Sequence, residues 1–138
     1  MRDHGIHIKK LPQLENPLLI AGFDGWGNAL NISKGMVSYL IRRMNAQHFA
    51  DLDSETFYRY DDQRPRVNIV GGILKSFKPP GGSFYAAQTD DGQSDLVILK
   101  ADEPNLHWFQ LADQLLSLCQ KLSIRTVITL GSMYDNVL

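Results

Sequence analysis

Apolar residues on consecutive positions mark the most strongly patterned strand of the chain. Leu18 to Phe23 is apolar almost throughout, which is typical of a strand covered on both faces by helices in a parallel sheet. Earlier in the chain, Ile6 and Ile8 alternate with polar neighbours, and this period of two predicts a short strand from Gly5 to Lys10. The β-branched, apolar segment from Thr126 to Leu130 predicts another strand.

Two segments show the three-and-four spacing of amphipathic helices. The first runs from Leu30 to Met44, with Asn28 or Asn31 as its cap, and should pack on the sheet. The second is opened by Pro104-Asn105, with the asparagine as its cap, and continues from Trp108 to Leu122. The apolar positions of the first helix are Leu30, Met36, Val37, Leu40, Ile41 and Met44.

The middle of the chain is predicted to be rich in strands. Phe57 to Tyr60 and Val67 to Leu74 look extended, and Gly71-Gly72 predicts a bulge or a turn inside the second segment. Pro79 to Gly82 predicts a loop, because prolines and glycines interrupt regular structure.

Two further strands are predicted from Phe84 to Gln88 and from Asp95 to Lys100, joined by a turn at Asp90-Asp91-Gly92. Strands that alternate with helices in this order predict a single α/β domain over residues 1–138. The sequence ends just after a strand and a loop, without the helix that normally covers a last strand. We therefore expect it to be the N-terminal part of a longer protein.

Composition and charge narrow the classes of function. The 138 residues carry a net charge of −1, with lysines and arginines scattered along the chain, so no nucleic-acid surface is expected. The longest apolar stretches, Leu18 to Gly22 and Leu96 to Leu99, are far shorter than the roughly 20 residues of a membrane helix. Polar residues interrupt any signal peptide, and the single Cys119, expected in the core, agrees with a cytoplasmic protein.

Two loops are candidate ligand-binding segments. The first follows the apolar strand and contains Gly22, Asp24, Gly25, Trp26, Gly27 and Asn28. The second follows the last predicted strand and contains Gly131, Ser132 and Asp135. In open α/β sheets ligands bind outside the carboxyl ends of strands, so the two loops would form one crevice if their strands are neighbours.

The chemistry of the first loop argues against a phosphate ligand. Its sequence GFDGWGN matches neither common phosphate-binding motif, and Asp24 would repel a phosphate. A carboxylate suits a cation, an amine, a hydroxyl or the capping of backbone N–H groups, and Trp26 suits stacking on a ligand or anchoring a protein partner. In the simpler alternative, the loop is only a tight strand-to-helix turn with Trp26 packed on the core.

Other candidate residues lack the partners that chemistry requires. His4 and His7 have a metal-ligand spacing but no second pair, so we expect no metal and no cofactor. Ser132 lacks the context of a nucleophile, and His107 is either an acid-base group or part of a solvated helix start. Arg64-Pro65-Arg66 either pairs with carboxylates across an interface or forms a plain loop. We expect no catalytic residues.

Four segments together resemble the proteasome assembly chaperone family, of the second-chaperone type. They are GFDGWGNALNIS from Gly22 to Ser33, FYRYDDQRPRV from Phe57 to Val67, FYAAQTDDGQSDLVILKADEPNLHW from Phe84 to Trp108 and RTVITLGSMYDNV from Arg125 to Val137. The resemblance implies a three-layer α/β fold, similar to that of nucleoside phosphorylases, in which helices flank a central mixed β-sheet. It also implies a chain longer than 138 residues.

The resemblance favours a non-enzymatic protein that binds protein subunits and forms homo-oligomers. The alternative is a phosphorylase-like or hydrolase-like enzyme, or a small-molecule binder similar to carboxylate-amine ligases, that uses the crevice between the two loops. A concave pocket lined by Asp24, Trp26, Ser132 and Asp135 would indicate the alternative. An exposed apolar patch would indicate a protein-binding module.

Overall fold

The computed structural model describes residues 5–25, 31–90, 93–133 and 135, which form a mixed α/β fold. The helices and strands of the described residues, in chain order, are β1 Ile6–Ile8, β2 Leu18–Asp24, α1 Ile32–Arg43, β3 Gln47–Leu52, α2 Ser54–Phe57, β4 Arg66–Val70, β5 Ile73–Lys78, β6 Gly82–Ala87, β7 Leu96–Asp102, α3 Trp108–Leu122 and β8 Val127–Leu130. The predicted strands near residues 6, 18, 84, 96 and 127 are all confirmed.

Six strands form one open sheet in the order β1-β3-β6-β7-β2-β8. The strand β2 is parallel to both of its neighbours, β7 and β8, as its continuous apolar sequence predicted. The pairs β1/β3, β3/β6 and β6/β7 are antiparallel, so the sheet is mixed.

The helices α1 and α3 cover opposite faces of this sheet. Leu19 and Ala21 of β2 share a buried cluster with Leu111 of α3. Gly22, the next residue of β2, faces the opposite side of the sheet, and a Cβ added to it would lie 2.9 Å from the side chain of Val37 in α1. The predicted layers, helices on both sides of a central sheet, are therefore confirmed. Cys119 is buried in the core, as predicted.

The strands β4 and β5 form a separate two-stranded antiparallel hairpin. Its turn consists of Gly71 and Gly72, with φ angles of 60° and 79°. Positive φ at both turn positions is the geometry that a two-residue hairpin turn needs and that glycine adopts without strain. The turn predicted inside Val67 to Leu74 is confirmed.

Two predictions for the segment before the hairpin are wrong or incomplete. Phe57 was expected in an extended segment, but it ends the one-turn helix α2, whose first N–H groups are capped by Asp53: the Thr56 amide donates to this carboxylate at 2.9 Å. A helix of four residues is too short to show a helical period. The strand β3 has no counterpart among the predictions, because a bulge at Phe49 and polar neighbours disturb its alternation.

The predicted helix caps are also wrong in part. The N-cap of α3 is His107, with a left-handed backbone, whereas the Asn105 side chain accepts a hydrogen bond from the Arg59 amide at 3.0 Å. Asn31 occupies the N-cap of α1, but its side chain makes no capping bond, and Asn28 lies outside the described residues. Within α1, Met36 is 48% exposed rather than packed on the sheet.

Candidate functional site

The carboxyl ends of β2, β7 and β8 meet at one edge of the sheet, where the two predicted loops begin. Gly22 pairs with Leu130, the last residue of β8, so Gly131 follows β8 beside the loop that follows β2. The condition that the two strands are neighbours is therefore met. Trp26, Gly27 and Asn28 lie outside the described residues.

Gly22 and Gly25 of the first loop stand where neighbouring segments of the chain approach closely. A Cβ on Gly22 would lie 2.6 Å from the backbone oxygen of Ser33 in α1. A Cβ on Gly25 would lie 2.7 Å from Cβ of Glu103, whose amide donates to the backbone oxygen of Asp24 at 2.7 Å. Packing between β2, α1 and the loop after β7 thus accounts for both glycines, which agrees with a tight strand-to-helix turn.

Asp24 belongs to a cluster of charged groups at the same edge. Lys34 Nζ of α1 lies 3.0 Å from Asp102 Oδ1 and 3.6 Å from Asp24 Oδ2. Asp102 is the residue opposite Asp24 in the parallel pairing of β7 with β2, and its other oxygen accepts the Gly81 amide at 3.0 Å. A cation is one of the partners expected for Asp24, and here the cation is a lysine of the same chain.

Tyr58 supports this cluster from the core. Its hydroxyl donates to the backbone oxygen of Asp102 at 2.7 Å. Burial, reinforced by the negative charge of Asp102, raises the pKa of Tyr58 well above its usual range. The phenol therefore stays protonated and holds the end of β7 in place.

Two clefts include Asp24 in their lining. The first, of about 240 Å³, is bounded by charged residues of the sheet edge and the base of the hairpin, among them Asp24, Lys34, Arg64, Arg66, Lys78 and Asp102. The second, of about 610 Å³, includes Asp24, Gly25, Gln63, Glu103, Asn105 and Trp108. Neither cleft has Gly131, Ser132 or Asp135 in its described lining. Within the described residues, Asp24 thus shares these clefts with residues at the base of the hairpin and in the loop after β7.

Several residues of the cluster were missed by sequence reasoning. Lys34 falls outside the apolar stripe of the first predicted helix, and Asp102 lies beyond the predicted strand from Asp95 to Lys100. The pairing of β7 with β2 brings Asp24 and Asp102 together, and no spacing in the sequence signals that pairing. Arg64 and Arg66, expected at an interface or in a plain loop, line the first cleft.

His7 has a structural partner within the described residues. His7 Nε2 lies 2.9 Å from Asp53 Oδ1, and His4 lies outside the described residues. Burial opposes the ionisation of Asp53, but the hydrogen bonds from His7 and Thr56 outweigh it and hold the pKa of Asp53 below its usual value. Within the described part of the chain no group of three histidines, cysteines or carboxylates is placed to hold a metal ion.

The hairpin presents an uncovered apolar face. Residues paired across antiparallel strands share a face, so Val67 and Phe77 lie on the same side as Ile69 and Leu74. All four side chains are between 56% and 61% exposed. The other face carries Arg66, Asn68, Ser76 and Lys78 near its base and Val70 and Ile73 at its tip.

Exposed apolar side chains also lie on the helices α1 and α3. The α1 side chains Ile32, Met36 and Tyr39 lie at helical spacing and are each about half exposed. On α3, Phe109 and Leu116 are 92% and 62% exposed. No helix within the described residues is long and apolar enough to cross a membrane.

The model of one protein family matches residues 19–137, almost the whole chain. The chain belongs to the PAC2 family. This match confirms the resemblance to proteasome assembly chaperones of the second-chaperone type. No functionally curated protein matches the chain.

Solved structures share the fold of this PAC2 chain. A PAC2 family protein from Streptomyces avermitilis is 28% identical, with a TM-score of 0.77 over 86% of this chain and 51% of its own. A proteasome-assembly chaperone homologue from Mycobacterium tuberculosis is 27% identical, with a TM-score of 0.82 over 86% of this chain and 50% of its own. A Corynebacterium glutamicum protein of unknown function, 19% identical, has a TM-score of 0.84 over 96% of this chain and 51% of its own, a likeness of fold alone.

The PAC2 chain spans about half the length of each of these relatives. The likeness to nucleoside phosphorylases, which the family resemblance implied, stays a prediction. The mixed sheet with helices on both faces is common to this chain and the related structures.

Proposed function

We propose that this PAC2-family chain is an assembly-chaperone-like protein that binds protein partners, including other copies of itself, rather than an enzyme. Two comparisons support the proposal: the family match over residues 19–137 and the 27% identity to a protein described as a proteasome-assembly chaperone homologue. The binding surface that we propose is the apolar face of the hairpin, formed by Val67, Ile69, Leu74 and Phe77.

The exposure of this face is the observation that carries the proposal. A two-stranded hairpin alone is marginally stable in water, and it usually needs a covered apolar face. Here all the large apolar residues on one side of the hairpin are more than half exposed. Contiguous exposed apolar side chains of this kind mark protein-protein contact sites. An apolar patch was also the feature expected for a binding module.

The charge around the hairpin specifies the chemistry of the partner. The segment from Gln63 to Thr89 carries Arg64, Arg66, Lys75 and Lys78 and no aspartate or glutamate. A partner surface that is apolar at its centre and bordered by carboxylates would complement it. Other copies of the chain also offer carboxylates, since all 15 acidic residues lie outside this segment. We therefore expect the hairpin of one copy to bind a carboxylate-bearing part of another copy rather than the hairpin of that copy.

Two neighbouring residues provide a matched test of the proposed surface. Leu74 and Ile73 are 58% and 60% exposed and lie on opposite faces of the same strand. We expect Leu74→Ser to weaken association at least roughly tenfold, because burial of a leucine contributes about 1.5–3 kcal/mol. Ile73→Ser should weaken it less than about threefold.

Sedimentation velocity over a range of concentrations measures self-association, and affinity capture with the two variants as baits measures partner binding. The proposal would be contradicted if the two variants lost association equally. It would also be contradicted if the wild-type protein stayed monomeric and captured the same proteins as Leu74→Ser. Circular dichroism of each variant checks that the fold is unchanged.

The pairing of β2 with β8, which brings the starts of the two loops together, favours a second candidate, a small-molecule binder. A thermal shift by a metabolite that disappears in Asp24→Ala or Trp26→Ala would favour this candidate. The same variants should leave self-association unchanged if the hairpin is the protein-binding surface.

A further inference from the structure

Lysines from three elements converge on the face of the sheet that α1 covers only in part. Lys34 of α1, Lys78 at the end of β5 and Lys100 of β7 line a groove of about 330 Å³. Its lining also includes Ser83 and Tyr85 of β6. The groove shares Lys34 and Asp102 with the Asp24 cluster and extends from the loop at residues 79–81 over β6 and β3.

The carboxylates that line this groove already have donors. Asp102 accepts from Lys34 Nζ and from the Gly81 amide, each at 3.0 Å. Asp51 Oδ1 accepts from Ser83 Oγ at 2.7 Å and lies 2.8 Å from His48 Nε2. Their hydrogen-bonding capacity is therefore largely used within the chain.

Two of the lysines, in contrast, have no such partner. Among the described residues, neither the Lys78 nor the Lys100 side chain forms a hydrogen bond or an ion pair. Lys100 is half-buried in the groove, and Lys78 is exposed at its rim. Burial, together with the positive charges of Lys34, Lys78 and Arg42, lowers the pKa of Lys100, although the negative charge of Asp102 offsets part of this effect. Three lysines and two aspartates are in the described lining, so the groove carries a net positive charge.

We propose that this groove binds a small oxyanion, a phosphate or a carboxylate group, held by the ammonium groups of Lys78 and Lys100. Charge-assisted hydrogen bonds from two lysines are strong in a site that is partly shielded from water. The Tyr85 hydroxyl, which has no hydrogen-bond partner among the described residues, supplies a further donor. A volume near 330 Å³ suits a small molecule rather than a polymer. Lys78 lies at the base of the hairpin, on the face opposite the proposed apolar surface, so the two proposals rest on different faces of the hairpin.

Thermal denaturation at constant ionic strength tests this site, with sodium phosphate or sodium acetate replacing sodium chloride. We expect about 50 mM of the bound anion to raise the Tm of the wild-type protein by roughly 3–5 °C, as for a Kd of about 5 mM. Lys100→Met should abolish the increase. Lys75→Met, a change of an exposed lysine on the same hairpin that does not line the groove, should retain it.

Comparison of the two anions shows whether the groove binds a phosphate or a carboxylate group. An increase with phosphate alone identifies a phosphate site, and an increase with acetate identifies a carboxylate site. Absence of any increase in the wild-type protein, or an increase that survives in Lys100→Met, would overturn the inference. If Lys100→Met does not fold, Lys78→Met at the exposed rim replaces it, and amide chemical-shift changes at residues 81–83 and 100–102 of the wild-type protein locate the anion.

Discussion

The hairpin and the central sheet use similar side chains in opposite environments. Phe84 and Leu99, which face each other across β6 and β7, are 0% and 1% exposed. Phe77 and Leu74 on one face of the hairpin are 59% and 58% exposed. The helix α3 contributes side chains to the cluster around the first pair, whereas nothing in the described part of the chain covers the second. The same residue types therefore stabilise the fold in one region and are available for binding in the other.

The largest expected effect compares one phenylalanine from each region. Phe84→Ala should lower the free energy of unfolding by about 3–5 kcal/mol, because it leaves a cavity in the core. Phe77→Ala should lower it by less than about 1 kcal/mol in the monomer, since the side chain is already in water. Urea denaturation at low protein concentration measures both. Losses of similar size would show that the hairpin face is packed in solution.

Two glycines allow the same comparison between a closely packed backbone position and one with free space around it. Gly22→Ala should destabilise the protein by about 1–3 kcal/mol, because the new Cβ meets the Ser33 backbone oxygen at 2.6 Å. Gly35 lies inside α1 with no atom within 4 Å of an added Cβ, so Gly35→Ala should stabilise the protein by up to about 1 kcal/mol. Denaturation midpoints of the two variants should move in opposite directions. Movement in the same direction would contradict the assigned packing of α1 on β2.

A buried and an exposed carboxylate should also differ in their contributions to stability. Asp95 is buried, which opposes its ionisation, but the Glu15 and Thr89 amides donate to it at 2.7 and 2.9 Å and hold its pKa below the usual value. Its contribution to stability is therefore full above the unfolded-state pKa of about 3.9 and is lost as pH falls through the lower folded-state pKa. Asp95→Asn should cost about 1–2 kcal/mol at pH 7.

Denaturation of the wild-type protein and Asp95→Asn at pH 7 and pH 3 measures this contribution. The gap between the two proteins should narrow at the lower pH, whereas Asp90→Asn, at an exposed carboxylate of the same loop, should track the wild type at both. A gap that stays constant with pH would mean that the ionised form of Asp95 is not the stabilising one.

The smallest effect is expected at the charged cluster. Asp24 is 43% exposed, and its carboxylate lies 3.6 Å from Lys34 Nζ, so Asp24→Asn should change stability by less than about 0.5 kcal/mol. Asp102→Asn should cost more, because Asp102 accepts from both Lys34 and the Gly81 amide. Chemical denaturation of the two variants checks the order, and a larger loss at Asp24 would reverse our interpretation of the cluster.

The sequence predicted elements whose local pattern is strong and missed those that depend on distant contacts. Apolar and β-branched runs correctly marked β2 and β8, and helical spacing marked α1 and α3. The strand β3 was missed because its bulge interrupts alternation. The cap at Asn105 was wrong because its side chain instead accepts from Arg59, a contact across 46 positions of the chain.

In the candidate site, too, features set by the local sequence could be predicted and features set by distant contacts could not. The shared edge of the two loops followed from the rule for carboxyl ends of parallel strands, which needs only the order of elements. The meeting of Asp24, Lys34 and Asp102 depends on which strand pairs with β2, and a single sequence does not specify that partner. In the hairpin, the strand pattern was visible from Val67 to Leu74, but the pattern does not tell whether another element covers the apolar face.

Hydrogen exchange of the backbone amides, measured at low and high protein concentration, tests the central claim most directly. We predict that amides of β4 and β5 exchange rapidly in the dilute protein and become protected as it associates, because covering the apolar face stabilises an otherwise marginal hairpin. Amides of β6 and β7 should be protected at both concentrations. Protection that rises elsewhere while the hairpin stays unprotected, or a hairpin as protected as the central sheet at every concentration, would contradict the account.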